Sequence, residues 1–302
     1  MEKMKFAGSI LLSLGLIWVI TICDKNDCTS GSTILSVFLG LSLPWIVLSF
    51  QNLLDTTDWK VSQRRLKRGG FINDNTIVRI SFAYLFRIKV GSKYLLVKNE
   101  RGTEKFQPVG GVYKFKDEEK SVLTNQFHVM DDNKISIDAS SRDDYRLRME
   151  NRYLRKFIKR FNKTKNRESI ENLGREFTEE LVNTGILNWN KLTYRYCGRH
   201  ITELKFEEHF QIYELLLADV VELIPTEEQT IDLNHLFIQN TDERVHFATA
   251  EEINALGIDT TKNKLNETIG DHTKKILQEM EPSLTKVSGS GELFTVNLSP
   301  TH

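Results

Sequence analysis

Hydrophobic positions along the chain change period twice. Residues 6–23 and 33–54 are long apolar stretches, neither of which contains a charged side chain, each close to the roughly 20 residues that cross a bilayer core. They predict a two-helix transmembrane hairpin over residues 1–54. A cleaved signal peptide is the alternative for the first stretch, since Lys3 and Lys5 precede it. No small-x-small cleavage site follows, however, and the second stretch begins about ten residues later. Lys3 and Lys5 before the first stretch, and Lys60, Arg64, Arg65, Lys67 and Arg68 after the second, outnumber the lone Lys25 of the connection. By the positive-inside rule this implies a two-pass protein with both termini cytoplasmic. Pro44 is a kink position, and Gly8, Gly15, Ser36, Gly40 and Ser42 let helices approach closely in lipid.

Beyond a polar, basic linker at 55–74, the pattern shifts to strands. Residues 76–90 alternate β-branched and apolar side chains, a Gly91-Ser92 turn follows, and 93–98 reads as the second arm of a hairpin. A short strand at 105–113 is punctuated by Pro108-Val109-Gly110-Gly111. Residues 190–197 and 209–217 read as further strands, 245–256 as a strand opening a helix, and 271–280 as a C-terminal helix. The tail, 282–302, reads as flexible.

The segment 142–167 carries 11 Lys or Arg against three Asp or Glu, with Leu154, Phe157, Ile158 and Phe161 at helical spacing. It predicts a basic amphipathic helix. Either the apolar stripe docks on the domain and the basic face is solvated, or residues such as Arg146 and Arg155 contact a multiply phosphorylated ligand, a membrane surface or a neighbouring subunit. The linker's Arg64, Arg65, Lys67 and Arg68 suit anionic headgroups as well as positive-inside anchoring.

Composition adds limits. The chain has 302 residues with 41 basic and 41 acidic side chains, and this neutrality argues against a general DNA- or RNA-binding coat. Mean hydropathy is −0.35, so a soluble part outweighs the spans. Cys197 belongs to the reducing side, whereas Cys23 and Cys28 bracket the connection either as a small disulfide loop or as two free thiols.

Candidate chemistry lies in Gly174-Arg175-Glu176-Phe177-Thr178-Glu179-Glu180-Leu181. On an α-helix, Glu176, Glu179 and Glu180 share one face, and Ile170, Leu173, Phe177 and Leu181 form an apolar stripe on another. Such carboxylates hold Mg²⁺ through oxygen ligands. A solvated acidic helix face is the alternative.

The hairpin, the P-x-G-G turn and the later R-E-x-x-E-E together resemble the Nudix fold over about residues 75–281. The Nudix box reads G-x5-E-x7-R-E-U-x-E-E-x-G-U, with U aliphatic. Gly111 matches its Gly, and Asp117 stands where its first Glu is expected, followed by Glu118 and Glu119. Arg175, Glu176, Phe177, Glu179 and Glu180 match the second half, and the interval between the halves is lengthened by an insertion, 118–168. The closing Gly is displaced to Gly185. The resemblance implies an α/β class, a Nudix-like α/β/α sandwich with a helical insertion. It also implies metal-facing Glu176, Glu179 and Glu180, an Arg175 that pairs with Glu179, and a phosphate approach over Gly110 and Gly111.

A two-span hairpin joined to a Nudix-like domain further resembles the membrane effectors associated with bacterial cGAS/DncV-like nucleotidyltransferases, in the anti-phage system called CBASS. That resemblance implies a cyclic oligonucleotide ligand made by a partner synthase, homo-oligomerisation, and disruption of the bacterial inner membrane. Two function classes stay open: a sensor-effector without obligatory turnover, or a membrane-anchored, Mg²⁺-dependent hydrolase of a nucleoside diphosphate derivative.

Overall fold

The computed structural model describes residues 2–26, 33, 35–38, 40, 44, 59–99, 104–134, 141–239, 241–259, 264–265 and 267–298. Two compact units divide the chain, Met1–Asp58 and Trp59–His302. In the first, helix α1 (Glu2–Lys25) covers residues 6–23. Among the described residues no helix is long and apolar enough to cross a membrane. Most of 33–54 lies outside them, as do Cys28 and residues 101–103.

The second unit is a mixed α/β fold. Helix α2 (Trp59–Arg68) leads into β1 (Ile77–Arg87), β2 (Lys89–Val90), β3 (Lys93–Lys98), β4 (Phe106–Gln107) and β5 (Gly110–Val112). Helix α3 (Asp117–Phe127), β6 (Met130–Asp131), β7 (Arg146–Glu150) and helix α4 (Leu154–Phe161) follow. A short helix α5 (Arg175–Phe177) runs directly into a π-helical turn, Thr178–Val182. Then come β8 (Lys191–Ile201), β9 (Lys205–Glu207), β10 (Ile212–Leu223), α6 (Glu227–Gln239), β11 (Val245–Ala248), α7 (Ala250–Asn254), β12 (Ile258–Asp259) and β13 (Lys264–Leu265). Two 3₁₀ stretches, Asp271–Ile276 and Gln278–Ser283, precede β14 (Leu293–Asn297).

The main sheet has eight strands, ordered β14-β8-β10-β1-β7-β6, with β5 also on β1 and β9 on β10. Parallel pairing of β1 with β10 runs from Val78↔Tyr213 to Arg87↔Glu222. Strand β1 is covered on both faces, which explains its unusual sequence. Val78, Ile80, Phe82, Tyr84 and Phe86 enter the larger core. The opposite face buries Arg79 and Arg87, and a buried guanidinium needs partners. Arg79 donates to Asp132 at 2.8 Å and pairs with Glu214, whereas Arg87 donates to Ile276 O at 2.6 Å and to Glu281 at 2.8 Å.

The insertion completes the core rather than hanging from it. Leu154, Phe157, Ile158 and Phe161 of α4 are all buried, and Phe161 stacks on Phe82 with ring centroids 3.6 Å apart. Glu119 of α3 is fully buried and held bidentately by Arg160 of α4 at 2.8 and 2.6 Å. Burial opposes its charge, but the hydrogen bonds from Arg160 and Thr164 prevail and lower its pKa.

Several expectations change here. The basic segment at 59–68 is a helix of the domain, with Trp59, Ser62 and Gln63 buried; Gln63 donates to Asn151 and accepts from Arg155 at 2.7 Å. The expected C-terminal helix is two 3₁₀ stretches, the second containing Pro282. The tail expected to be flexible forms the edge strand β14 against β8, from Leu293↔Arg195 to Asn297↔Lys191, because Val296 and Leu298 find apolar cover.

Candidate functional site

Strand β5 and the α5 turn face each other, and their backbones fix the site. Gly110 has φ +153, and a Cβ there would collide with Tyr84 O; a Cβ on Gly111 would collide with the Glu176 carboxylate. The two glycines therefore let Glu176 and the β1–β5 pair approach to a distance that a side chain forbids. Opposite them, Thr178–Val182 is π-helical, with Asn183 N–H donating to Thr178 O at 2.8 Å. A π turn widens the spacing per turn, so the register of Glu179 and Glu180 relative to Glu176 differs from that of an α-helix.

The consequences are visible atom by atom. Arg175 Nη1 lies 2.5 Å from Glu176 Oε1 and 3.7 Å from Glu179 Oε1. Glu180 Oε2 accepts from Gly110 N–H at 3.1 Å. The expected Arg175–Glu179 pair is thus the longest of the Arg175 contacts. Its leading partner is Glu168, bound at 2.8 Å through Nε and 3.2 Å through Nη2, with Val112 O accepting a further bond at 2.9 Å.

Glu168 replaces Asp117 as the acidic residue before the R-E-x-x-E-E turn. Asp117 is exposed in the first turn of α3. The insertion leaves and returns at one place: Lys116 N–H donates to Asn166 O, and Glu168 N–H to Lys114 O, each at 2.9 Å. Lys114 N–H in turn donates to Glu168 Oε2 at 3.0 Å. The box is therefore interrupted before its first Glu, not after it. A sequence signal existed in Glu168 standing seven positions before Arg175, where the box has eight.

Of the other expected residues, Arg146 on β7 reaches Asp144 at 3.8 Å and so lies at the margin of the site. Burial pushes the Asp144 carboxyl up to about 6, against the opposing charges of Lys114, Arg146 and Arg175. Arg155 lies elsewhere, on α4 against α2. A cleft of about 250 Å³ adjoins the cluster, walled by Glu168, Asn172, Arg175, Glu179 and, from the C-terminal strand, Asn297.

Burial raises the Glu176 pKa, opposed by Arg175 and reinforced by Glu179. For Arg175 burial works the other way, but the Glu168 hydrogen bonds and neighbouring charges outweigh it and hold the guanidinium well above its ordinary value. Four carboxylates against one guanidinium leave the cluster anionic, which draws cations and repels a bare phosphate. Yet Glu176 faces Arg175, Glu180 faces the Gly110 amide, and among the described residues no group of three His, Cys, Asp or Glu is arranged to hold a metal ion. Mg²⁺ commonly takes one or two carboxylates and fills the rest of its shell with water and phosphate, and Glu176 and Glu179, both grouped about Arg175, are the residues that would supply them.

A β-hairpin with two glycines packed under an Arg-Glu-x-x-Glu-Glu turn, on a mixed sheet, defines a Nudix-like α/β domain. Residues 77–277 match the SMODS-associated NUDIX domain family. The chain belongs to that family, whose SMODS association links it to CBASS-type nucleotidyltransferases and so to a nucleotide second-messenger system. No curated protein and no solved structure matches the chain.

Proposed function

We propose that this chain is an effector of a nucleotide-signalling defence system, in which the Nudix-like domain binds a cyclic oligonucleotide without obligatory turnover. The carrying observation is the match of residues 77–277 to the SMODS-associated NUDIX domain family, which ties the domain to nucleotide signalling, with Gly110 and Gly111 leaving room for a close backbone approach. Chemistry agrees: a cyclic oligonucleotide contains phosphodiesters but no P–O–P linkage of the kind Nudix hydrolases cleave. Ligand binding that prefers an assembled state shifts the population toward homo-oligomers. The apolar stretches 6–23 and 33–54 then act as a two-pass hairpin in the inner membrane, both termini cytoplasmic, and disrupt it when clustered.

A Mg²⁺-dependent hydrolase is the second reading, favoured by the intact Glu168–Arg175 pair beside Glu176. The full-length chain is incubated with cyclic dinucleotides and trinucleotides, with and without Mg²⁺, while assembly size and nucleotide integrity are followed. Assembly with the nucleotide recovered intact is expected. Turnover that Glu180→Gln abolishes would replace the sensor by the hydrolase.

A further inference from the structure

Two basic helices lie side by side on the second unit. Arg155 of α4 donates to Gln63 Oε1 and Lys60 O of α2 at 2.7 and 3.4 Å, which fixes their adjacency. Each turns one side inward: Trp59 with the hydrogen-bonded Ser62 and Gln63 on α2, and the apolar Leu154, Phe157, Ile158 and Phe161 on α4. By helical period the outward face of α2 then carries Arg65 and Arg68, and that of α4 carries Lys156 and Lys159. All four are exposed, and none has a carboxylate within the 4.0 Å ion-pair distance among the described residues. Just past α2, Phe71 is 68% exposed, with its amide bonded back to Leu66 O at 3.0 Å.

We propose that the α2–α4 face is a docking surface for an anionic lipid bilayer. Clustered cations meet phosphate headgroups, and Phe71 enters the interfacial layer. Charge alone would also suit a nucleic acid; the exposed Phe71 beside the cations favours lipid. So does the sequence, in which the apolar stretch 33–54 ends five positions before Trp59. Cations borne on the outward sides of two adjacent helices suit an extended charged plane, whereas a small ligand calls for an enclosing pocket. This surface goes beyond the signalling role and does not require 33–54 to span the bilayer.

The test uses the full-length chain with Phe71→Cys carrying an environment-sensitive fluorophore, mixed with phosphatidylcholine vesicles with or without one quarter phosphatidylglycerol. A blue shift is expected only with phosphatidylglycerol and should vanish at 0.5 M salt, where screening is strong. In the Arg65→Glu/Arg68→Glu/Lys156→Glu/Lys159→Glu background, the lipid concentration for half-maximal shift should rise more than about tenfold. A thermal melt and a circular dichroism spectrum establish that the variant folds; if it does not, the Lys156→Glu/Lys159→Glu pair serves in its place. No shift with phosphatidylglycerol, or binding of a single-stranded oligonucleotide that the charge reversal abolishes while vesicles have no effect, overturns the proposal. Alkaline extraction of the same vesicles reports hairpin insertion separately, so a failed hairpin and a failed docking surface give different results.

Discussion

Asp144 couples protonation to stability at the edge of the site. Burial raises its pKa to about 6 in the folded chain, above the ordinary aspartate value of 3.8, so between those values the folded chain keeps a proton that the unfolded chain has released. Stability therefore falls as pH rises through that window. In denaturant titrations at pH 4 and pH 7, the parent should lose roughly 2–3 kcal/mol relative to Asp144→Asn over that interval. Glu168 and Gly111 act through geometry instead. Glu168→Ala strips Arg175 of its bidentate partner and should lower stability by roughly 1–3 kcal/mol in the same assay. Gly111→Ala places a methyl in the Glu176 carboxylate, and a loss of about 1–3 kcal/mol is expected from the forced displacement. The residue types Arg175, Glu176, Glu179 and Glu180 were legible from spacing alone. The partner Glu168 was signalled only by its place seven positions before Arg175, because the insertion separates it from Gly111 in sequence while hydrogen bonds at Lys114 and Lys116 close that gap in space.

Elements show the same division. The apolar stripe of α4 was readable from a period near 3.6, and all four of its members are buried. Phe157→Ala should cost about 3–5 kcal/mol by chemical denaturation, since the ring is fully buried against Phe127 and Tyr145. Helix α6 went unread, although Thr226 and Gln229 form a reciprocal capping box, with bonds of 3.1 and 3.2 Å, and Thr-x-x-Gln was present in the sequence. Other features had no local signal. The π turn at Thr178–Val182 is held by packing of Phe177 and Leu181, and nothing in Thr-Glu-Glu-Leu-Val distinguishes it from an α-helix. Strand β14 likewise follows a Ser-Gly-Ser-Gly run, yet it pairs with β8 and sets Val296 and Leu298 over Gly174. Truncation after Ser290 should lower the melting temperature and loosen the α5 turn, which amide exchange at Phe177 and Thr178 would register.

At the scale of the whole molecule, the family assignment ties the chain to a nucleotide second-messenger system. For the proposed hairpin, dye release from vesicles carrying the full-length chain is expected to depend on the cyclic oligonucleotide and to disappear when residues 1–54 are removed. Leakage that persists without those residues would place the disruptive element in the second unit. The sequence by itself determined the segregation of the two apolar stretches from a strand-rich domain, the class of that domain, and the glutamates it displays, because period and residue type are local properties. Only the tertiary structure decided how those glutamates are used. A π-helical turn, a pair of glycines and an arginine held by Glu168 set which groups those carboxylates meet, and the approach of β5 and of Glu168 to the turn depends on contacts between segments far apart in the chain.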